Sequence, residues 1–445
     1  GGLPLCFGQF RKRYHCSCKR DESGLQRKRR RQTTHGTGVF DRETERRREG
    51  AFGPENLQQS VTYRLLKAIF RHAPAYIYGL EGFTFMKRVT TVCGDIAPEE
   101  LGFTDMHEHI MFNGADMGAI CRPAMPTDLP VKYEDKVSLE NIGFLKRNFP
   151  LVQDAMDLND EAAMTREVQE YKDSGGDSMV ELSVPGIRLD VEAVRRISEK
   201  TGVHVITAAG YYVETSWNGK YDGWSIRQFY DHLMDEIENG IEDTQIRPGC
   251  VKIALNDFTE AEEKALRAGG QAAKDTGMSI TVHPDYAFGG TPGEIVEILM
   301  EEGVNPEKIV IAHMETTVKR PMKEMVLYPE KWGLDLDVAK RVLDKGANFS
   351  VEFLSGDIGL EALGTAPIPD WMKMAGIVRL IQQGYSRQIV LGTDMCVKTM
   401  CRQFGGEGYC RLTKFGVPAL KKYGEVSDLA VRNMTVNNPA RILAY

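Results

Sequence analysis

The sequence lacks several features that would place it in a special class of protein. No apolar run in its 445 residues reaches the roughly 18 residues that a membrane span requires. Its nine cysteines include no Cys-x-x-Cys pair, so they do not indicate a disulfide framework, and we expect a reducing, cytoplasmic location. Gly-x-Gly-x-x-Gly and Gly-x-Ser-x-Gly motifs are both absent. What is present is an ordinary globular composition, with 42% hydrophobic and 27% charged residues.

The first 85 residues differ in composition from the rest of the chain. They contain no methionine, and their 17 Lys and Arg residues against 8 Asp and Glu residues give a balance of +9. Because the whole chain carries −7, residues 86–445 carry −16, which disfavours nucleic-acid binding by that part. We therefore expect 1–85 to be a basic, low-order extension. It is either upstream sequence that is not native protein or a localisation or nucleic-acid arm.

A pattern of helix, glycine and short apolar strand repeats from about residue 100. In the stretch TPGEIVEILMEEG, Thr291 is typical of an N-cap, Pro292 of a first helical residue and Gly303 of a helix end. Eight strands are predicted by this pattern: 103–110, 178–185, 204–212, 250–255, 279–284, 309–314, 347–353 and 388–395. Helices alternating with buried strands over 86–445 predict an α/β fold, a (β/α)8 TIM barrel. An open doubly wound sheet is the alternative.

Ionisable side chains stand near the ends of the predicted strands. The set consists of His107, His109, Lys252, His283, His313 and Asp394. In a barrel, the carboxyl ends of the strands meet at one mouth, so these side chains should converge. His107 and His109 are two residues apart and should point to the same side of their strand, whereas Glu108 should point away as a supporting or salt-bridged residue.

This set of side chains is typical of a metal site. Imidazoles and a carboxylate favour Zn²⁺, with Mn²⁺, Co²⁺ or Fe²⁺ as alternatives. Lys252 needs a separate explanation, because an ammonium repels cations. It could be a neutral amine whose pKa is lowered by burial, or an amine carboxylated by CO₂ into a bridging anion. A third explanation is a salt bridge to a barrel carboxylate such as Glu181.

These motifs resemble a known family. The stretches that carry the resemblance are GFTDMHEHI, CVKIAL, SITVHPD, IVIAHME, IVLGTDM and TVNNPARIL. In their order and spacing, residues 87–445 resemble the phosphotriesterase-related family of the amidohydrolase superfamily, in its lactonase-like branch. The resemblance implies a binuclear metal-dependent hydrolase and, in most members, a homodimer.

The resemblance also implies a role for each predicted ligand. His107, His109 and Asp394 would hold the more buried ion, and His283 and His313 the more exposed one. Lys252, as N6-carboxylysine, would bridge the two ions, as would a hydroxide that acts as the nucleophile. Asp394 would take a proton from it and deliver that proton to the leaving group.

The loops after the strands are expected to select a small-molecule substrate. Candidates for substrate contacts are Tyr211, Tyr212, Lys398, Arg402 and Tyr409. The alternative for Tyr211 and Tyr212 is a structural pair that caps the barrel, and for the other three it is a solvated basic loop. The expected substrate is a lactone or carboxylic ester, including a phosphorylated sugar lactone, with an organophosphate triester or an amide as alternatives. The long segment 111–160 is typical of a lid or an oligomer contact.

Two other classes of protein would use part of the same residue set. A one-metal deaminase of the superfamily would need the histidines and Asp394 but not Lys252. A non-catalytic metal-binding barrel would be favoured by a missing ligand, and no expected ligand is missing from the sequence.

Overall fold

The computed structural model describes residues 87–116, 126–256, 258–284, 292–314, 326–328, 334–352, 361–363 and 368–445. These residues belong to one compact unit, Met86–Tyr445. The predicted basic extension at 1–85 and the predicted N-cap Thr291 lie outside the described residues, so both stay predictions. Within the described part of the chain, no helix has the length and apolar character needed to cross a membrane.

Eight parallel strands form a nearly closed barrel, with neighbours in chain order hydrogen-bonded to one another. They are β3 (Thr104–Glu108), β6 (Ser178–Glu181), β7 (His204–Tyr211), β8 (Cys250–Leu255), β9 (Ile280–Pro284), β10 (Ile309–Ile311), β11 (Asn348–Glu352) and β12 (Ile389–Gly392). The predicted (β/α)8 barrel is therefore confirmed, and each predicted strand is present. The open doubly wound sheet is excluded, because its strand order reverses part-way through the chain.

The first and last barrel strands meet at a seam that closes the barrel. The Asp394 backbone N–H donates a 2.8 Å hydrogen bond to the carbonyl oxygen of His107. A Cβ atom added to Gly392 would lie 2.8 Å from the Cβ of His107, closer than real Cβ contacts. Glycine at 392 therefore allows β12 to approach β3 closely enough for the seam to form.

Most barrel strands are shorter than the sequence predicts, and two of them, β10 and β12, end early for the same physical reason. His313 and Asp394 follow β10 and β12, and both have left-handed backbones, with φ of 56° and 51°. A left-handed residue cannot continue an extended ladder, so the strand ends before it. Residues with a Cβ adopt this conformation rarely, and the cost is of the order of 1–3 kcal/mol, so such residues cluster at functional sites.

The helices lie mostly between consecutive barrel strands. They are α1 (Ile142–Leu145), α2 (Glu161–Asp173), α3 (Val191–Thr201), α4 (Ile226–Asn239), α5 (Glu260–Thr276), α6 (Pro292–Glu301), α7 (Asp337–Leu343), α8 (Asp370–Gln382), α9 (Val417–Tyr423), α10 (Asp428–Arg432) and α11 (Asn438–Leu443). Their ends follow the local sequence. Thr259 and Glu262 form a capping box at the start of α5, and Gly277 ends it with φ of 77°.

Two small antiparallel hairpins flank the barrel. One is formed by β1 (Val89–Thr91) and β2 (Gly94–Ile96), and the other by β4 (Phe112–Asn113) and β5 (Asp157–Leu158). The second hairpin brackets most of the long segment 111–160, which has an apolar cluster of its own, including Leu145 and Leu151. The predictions of a lid or oligomer contact stay predictions, and 117–125 lie outside the described residues.

Alternation along β8 determines where Lys252 points. Val251, Ile253 and Leu255 pack in the cluster between the barrel and its helices, whereas Cys250 packs with strand residues inside the barrel. Lys252 has the same parity as Cys250 and therefore faces the barrel axis. Its neighbour across the β7–β8 ladder is Gly210, where an added Cβ would lie 1.7 Å from the Lys252 carbonyl oxygen.

We expect Gly210→Ala to lower the free energy of unfolding by about 3 kcal/mol, because the new methyl group must push β7 away from β8. Gly143→Ala is the matched control, since nothing lies within 4 Å of its added Cβ. The control should change stability by less than about 1 kcal/mol, in the stabilising direction. Urea unfolding followed by circular dichroism measures both variants, and equal stabilities would contradict the close approach.

Candidate metal centre

The structure brings all six predicted ligand residues together at the carboxyl end of the barrel. Lys252 Nζ lies 3.5 Å from His107 Nε2, and the rings of His107 and His313 have centroids 4.9 Å apart. The His283 ring centroid lies 4.5 Å from that of His313. The convergence expected from the strand ends is therefore present in the fold.

Asp394 lies at the centre of this group. Its Oδ1 is 3.3 Å from His109 Nε2 and 3.7 Å from His107 Nε2. Its Oδ2 is 3.7 Å from His313 Nδ1. One carboxylate thus contacts imidazoles from β3 and from the end of β10, and it carries negative charge into the group.

The donor atoms fit a divalent ion of borderline softness. His107, His109 and Asp394 offer one ligand atom each within 4.8 Å of one another, and all three residues are buried. Imidazole nitrogens with a carboxylate oxygen form the set that zinc and its neighbours prefer. A second group with the same spacing contains His107, His313 and Glu352.

Glu352 was not predicted as a site residue, although it is the last residue of β11. Its Oε1 lies 3.0 Å from His107 Nδ1, and its Oε2 accepts a 2.9 Å hydrogen bond from the His313 backbone N–H. The sequence signal was available, because Glu352 is the next-to-last residue of the seventh predicted strand, 347–353. The signal is weak, because a carboxylate in a buried strand is as often a partner in an ion pair.

The outer nitrogens of the β3 histidines are held by neighbours. A carboxylate only accepts, so the bond to Glu352 places the proton of His107 on Nδ1 and leaves its Nε2 lone pair facing the site. His109 Nδ1 lies 2.9 Å from Ser183 Oγ, and its Nε2 faces Asp394. Such partners fix ring orientation and raise the basicity of a ligand.

Burial controls the charge of the imidazoles. Desolvation lowers the pKa of His107 well below its ordinary value, and the Lys252 charge lowers it further. Burial likewise lowers the pKa of His283 well below its ordinary value, followed by the effect of His313. Both rings are therefore neutral at physiological pH, and neutral imidazole is the form that binds metal ions.

Lys252 is buried without a carboxylate partner. In the part of the chain that the structure describes, no carboxylate forms a salt bridge with its ammonium. Glu181, the expected alternative partner, instead accepts hydrogen bonds from the backbone N–H groups of Ile110 and Ser183. Burial lowers the pKa of Lys252 to about 8, so an appreciable fraction is the neutral amine near neutral pH.

Tyr211, the last residue of β7, and Tyr212, which follows it, take different positions. The Tyr211 hydroxyl donates to the carbonyl oxygen of Phe229, and its ring packs edge-on against Trp217 and Tyr221. The expected substrate contact of Tyr211 is therefore wrong. Side chains alternate along β7, and that of Tyr211 points outward to the helices and not into the barrel. The Tyr212 ring lies 5.9 Å from the His283 ring, so Tyr212 alone of the pair borders the ligand group.

The three candidates after β12 already have protein partners. Tyr409 is fully buried and donates a 2.7 Å hydrogen bond to the carbonyl oxygen of His109, so it supports the site from behind. Lys398 Nζ lies 2.8 Å from Asp154 Oδ1, and Arg402 pairs with Glu170. The structure does not place any of the three against the ligand group, which corrects the expected role of Tyr409 and leaves Lys398 and Arg402 as predictions.

Comparison with known proteins gives the site its context. Residues 87–443 match the sequence model of the Phosphotriesterase family. The chain belongs to the phosphotriesterase family. An N-acetyltaurine hydrolase from Dictyostelium discoideum is 28% identical over 382 residues, which cover 80% of this chain and 97% of the relative.

Two solved structures are also similar to this chain. A resiniferatoxin-binding protein from Rhodobacter sphaeroides has a TM-score of 0.68 and 27% identity, covering 80% of this chain and 94% of that one. A lactonase from Listeria monocytogenes has a TM-score of 0.62 and 25% identity, covering 80% and 98%. Family membership confirms the expected enzyme class, a hydrolase of ester or amide bonds.

We expect Glu352→Gln to weaken metal binding by about 10- to 100-fold, the range typical of partners that hold a ligating histidine. The amide can present its NH₂ group to His107 Nδ1, which removes the acceptor that fixes the ring. Competition with a coloured chelator measures the dissociation constant. Glu236→Gln is the control, because Glu236 is equally buried but pairs with Arg188 on another face. An unchanged affinity in Glu352→Gln would contradict the assigned contact.

Proposed function

We propose that the chain is a binuclear metal-dependent hydrolase that cleaves the carbonyl–nitrogen bond of a small N-acyl amide. The observation that carries the proposal is the convergence of four histidines, Asp394 and the buried Lys252 at one barrel mouth. The relative named as an N-acetyltaurine hydrolase, 28% identical along almost its whole length, favours the amide bond among the family's substrates.

The ligands divide into two groups by position. His107, His109 and Asp394 are proposed to hold one ion, since their donor atoms lie within 4.8 Å of one another. His283 and His313, whose rings are in edge-to-face contact, would hold the other. Zinc is the proposed metal for both positions, because imidazole and carboxylate ligands suit it, with manganese, cobalt or iron as alternatives.

Lys252 is proposed to supply the anion between the two groups as N6-carboxylysine. The neutral amine adds to the carbon of CO₂, a C–N bond forms, and the amine proton is lost to solvent. The product is a carbamate with one negative charge in place of the ammonium. The lowered pKa of Lys252 and its lack of a carboxylate partner among the described residues support this modification.

The chemistry needs water activation and a proton carrier. Two bound ions lower the pKa of water and polarise the substrate carbonyl. Asp394 is the proposed proton carrier, because its Oδ1 and Oδ2 both face the ligand group. It accepts the proton of the attacking water and passes it to the leaving nitrogen, which must be protonated to depart as an amine.

A lactone is the second candidate substrate, favoured by the structural similarity to the Listeria lactonase. A phosphorylated sugar lactone is disfavoured, because Lys398 and Arg402 already pair with Asp154 and Glu170. Tyr212, next to His283, is the proposed contact to the substrate. The homodimer stays a prediction.

The substrate class is tested by hydrolysis assays on the zinc-loaded protein. The panel contains N-acetyltaurine, other N-acetyl amides, γ- and δ-lactones, aryl esters and phosphotriesters. We expect kcat/KM for an N-acetyl amide to exceed the others by at least about tenfold, which corresponds to about 1.4 kcal/mol of transition-state discrimination. Faster turnover of a lactone would replace the proposal by the second candidate.

Lys252→Ala tests the bridging role. We expect metal content to fall from about two ions per chain to one or fewer, with loss of hydrolysis. Added formate should restore part of both, because a small carboxylate can occupy the vacated space between the ions. Lys252→Arg is the matched control: its guanidinium cannot add CO₂ and leaves no space, so formate should not rescue it. Full metal content and turnover in Lys252→Ala would rule out the bridge.

A further inference from the structure

Glu108, the residue between the two β3 histidines, holds the peptide groups on both sides of Asp394. Its Oε1 accepts a 3.1 Å hydrogen bond from the Thr393 backbone N–H, and its Oε2 accepts a 3.0 Å bond from the Met395 N–H. Glu108 is fully buried, so water does not compete for these donors. Of the two roles expected for Glu108, these contacts fit the supporting one, because the two amides flank Asp394 at the end of the opposite strand.

An irregularity in β3 directs Glu108 to this position. The register of β3 against β6 shifts between Asp105 and Glu108. In a regular strand, residues three apart point to opposite faces, but an extra residue brings them to the same face. Both carboxylates accordingly reach Thr393: Asp105 Oδ1 accepts from its backbone N–H at 3.2 Å, and Asp105 Oδ2 accepts from its hydroxyl at 2.8 Å.

Three consecutive backbone N–H groups are therefore bonded to β3. The amides of Thr393 and Met395 bond to Glu108, and the amide of Asp394 bonds to the His107 carbonyl oxygen. Between the two Glu108 bonds, Asp394 adopts its left-handed backbone with φ of 51°. This conformation is unfavourable for a residue with a Cβ, so it persists only where surrounding bonds hold it.

We propose that Glu108 is a positioning residue that directs the Asp394 carboxylate at the imidazoles of His107 and His109. The inference rests on the proposed function, since it concerns the ligand that would hold the buried ion. Glu108 touches neither substrate nor metal in this role. It acts by holding the strained backbone that places Asp394 Oδ1 3.3 Å from His109 Nε2.

The test compares Glu108→Gln with the wild-type protein in zinc affinity and in the visible spectrum of the cobalt-substituted protein. Glutamine keeps the length of the side chain, but its NH₂ group cannot accept a hydrogen bond. Either the Met395 N–H or the Thr393 N–H therefore loses its bond to residue 108, and in the second case only the bond from Thr393 to Asp105 Oδ1 remains. We expect the zinc dissociation constant to rise about 10- to 100-fold and the cobalt absorption bands to shift. Glu108→Asp keeps both acceptor oxygens and should change both readouts less in the same direction.

Glu262→Gln is the matched control for loss of stability. Glu262 is another fully buried carboxylate that accepts backbone N–H groups, those of Glu214 and Asn256. We expect its glutamine variant to lower the melting temperature without changing the zinc affinity or the cobalt spectrum. A Glu108→Gln protein that behaves like this control would overturn the positioning role.

A crystal structure of Glu108→Gln separates this inference from the proposed function. We expect Asp394 to leave the left-handed conformation and to move away from His109. An unmoved Asp394 would overturn the inference, whether or not the crystal contains metal. Failure of the proposed function has a different signature. It is a zinc-loaded wild-type protein that hydrolyses none of the tested substrates while Glu108→Gln still weakens zinc binding.

Discussion

The hydrogen bond from the Asp394 amide to the His107 carbonyl joins the end of the barrel to its beginning. The six ligand residues come from five strands or their ends, so the distances within the site depend on the whole ring of strands being closed. If the seam opened, Asp394 would separate from His107 and His109. The proposed metal positions would then lose the carboxylate that contacts imidazoles of both. Closure is thus the condition on which both fold and chemistry depend, and Gly392 makes it sterically possible.

A closed barrel must also accommodate an unusual amount of buried polar surface. Burial raises the pKa of Asp105 to about 6 and that of Glu108 well above its ordinary value, while it lowers the pKa values of Lys252 and His107. For these four side chains, desolvation therefore favours the neutral form, which reduces the cost of holding them away from water. Hydrogen bonds from backbone amides offset much of the remaining desolvation cost.

Much of this arrangement follows from local sequence. Neighbouring residues in the sequence are enough to predict the positions of the helix caps, the short apolar strands and the histidines at the strand ends. Tyr211 was assigned to the wrong side because a tyrosine pair leaves open which member faces inward, and a shift of one residue reverses the answer. Tyr409 and Lys398 lie in a loop whose path depends on distant partners, His109 and Asp154, which spacing alone does not identify. The contacts of Glu352 with the ligand histidines could be predicted only from the positions of β10 and β11 as neighbours at the barrel mouth.

The position of Glu352 has a consequence for how the site fills. One carboxylate contacts His107, assigned to one ion, and the backbone of His313, assigned to the other. Movement of either histidine on capture of a first ion would be transmitted through this carboxylate to the second position. Loading of the two ions would then be cooperative, and partly filled chains would be rare at intermediate metal concentrations.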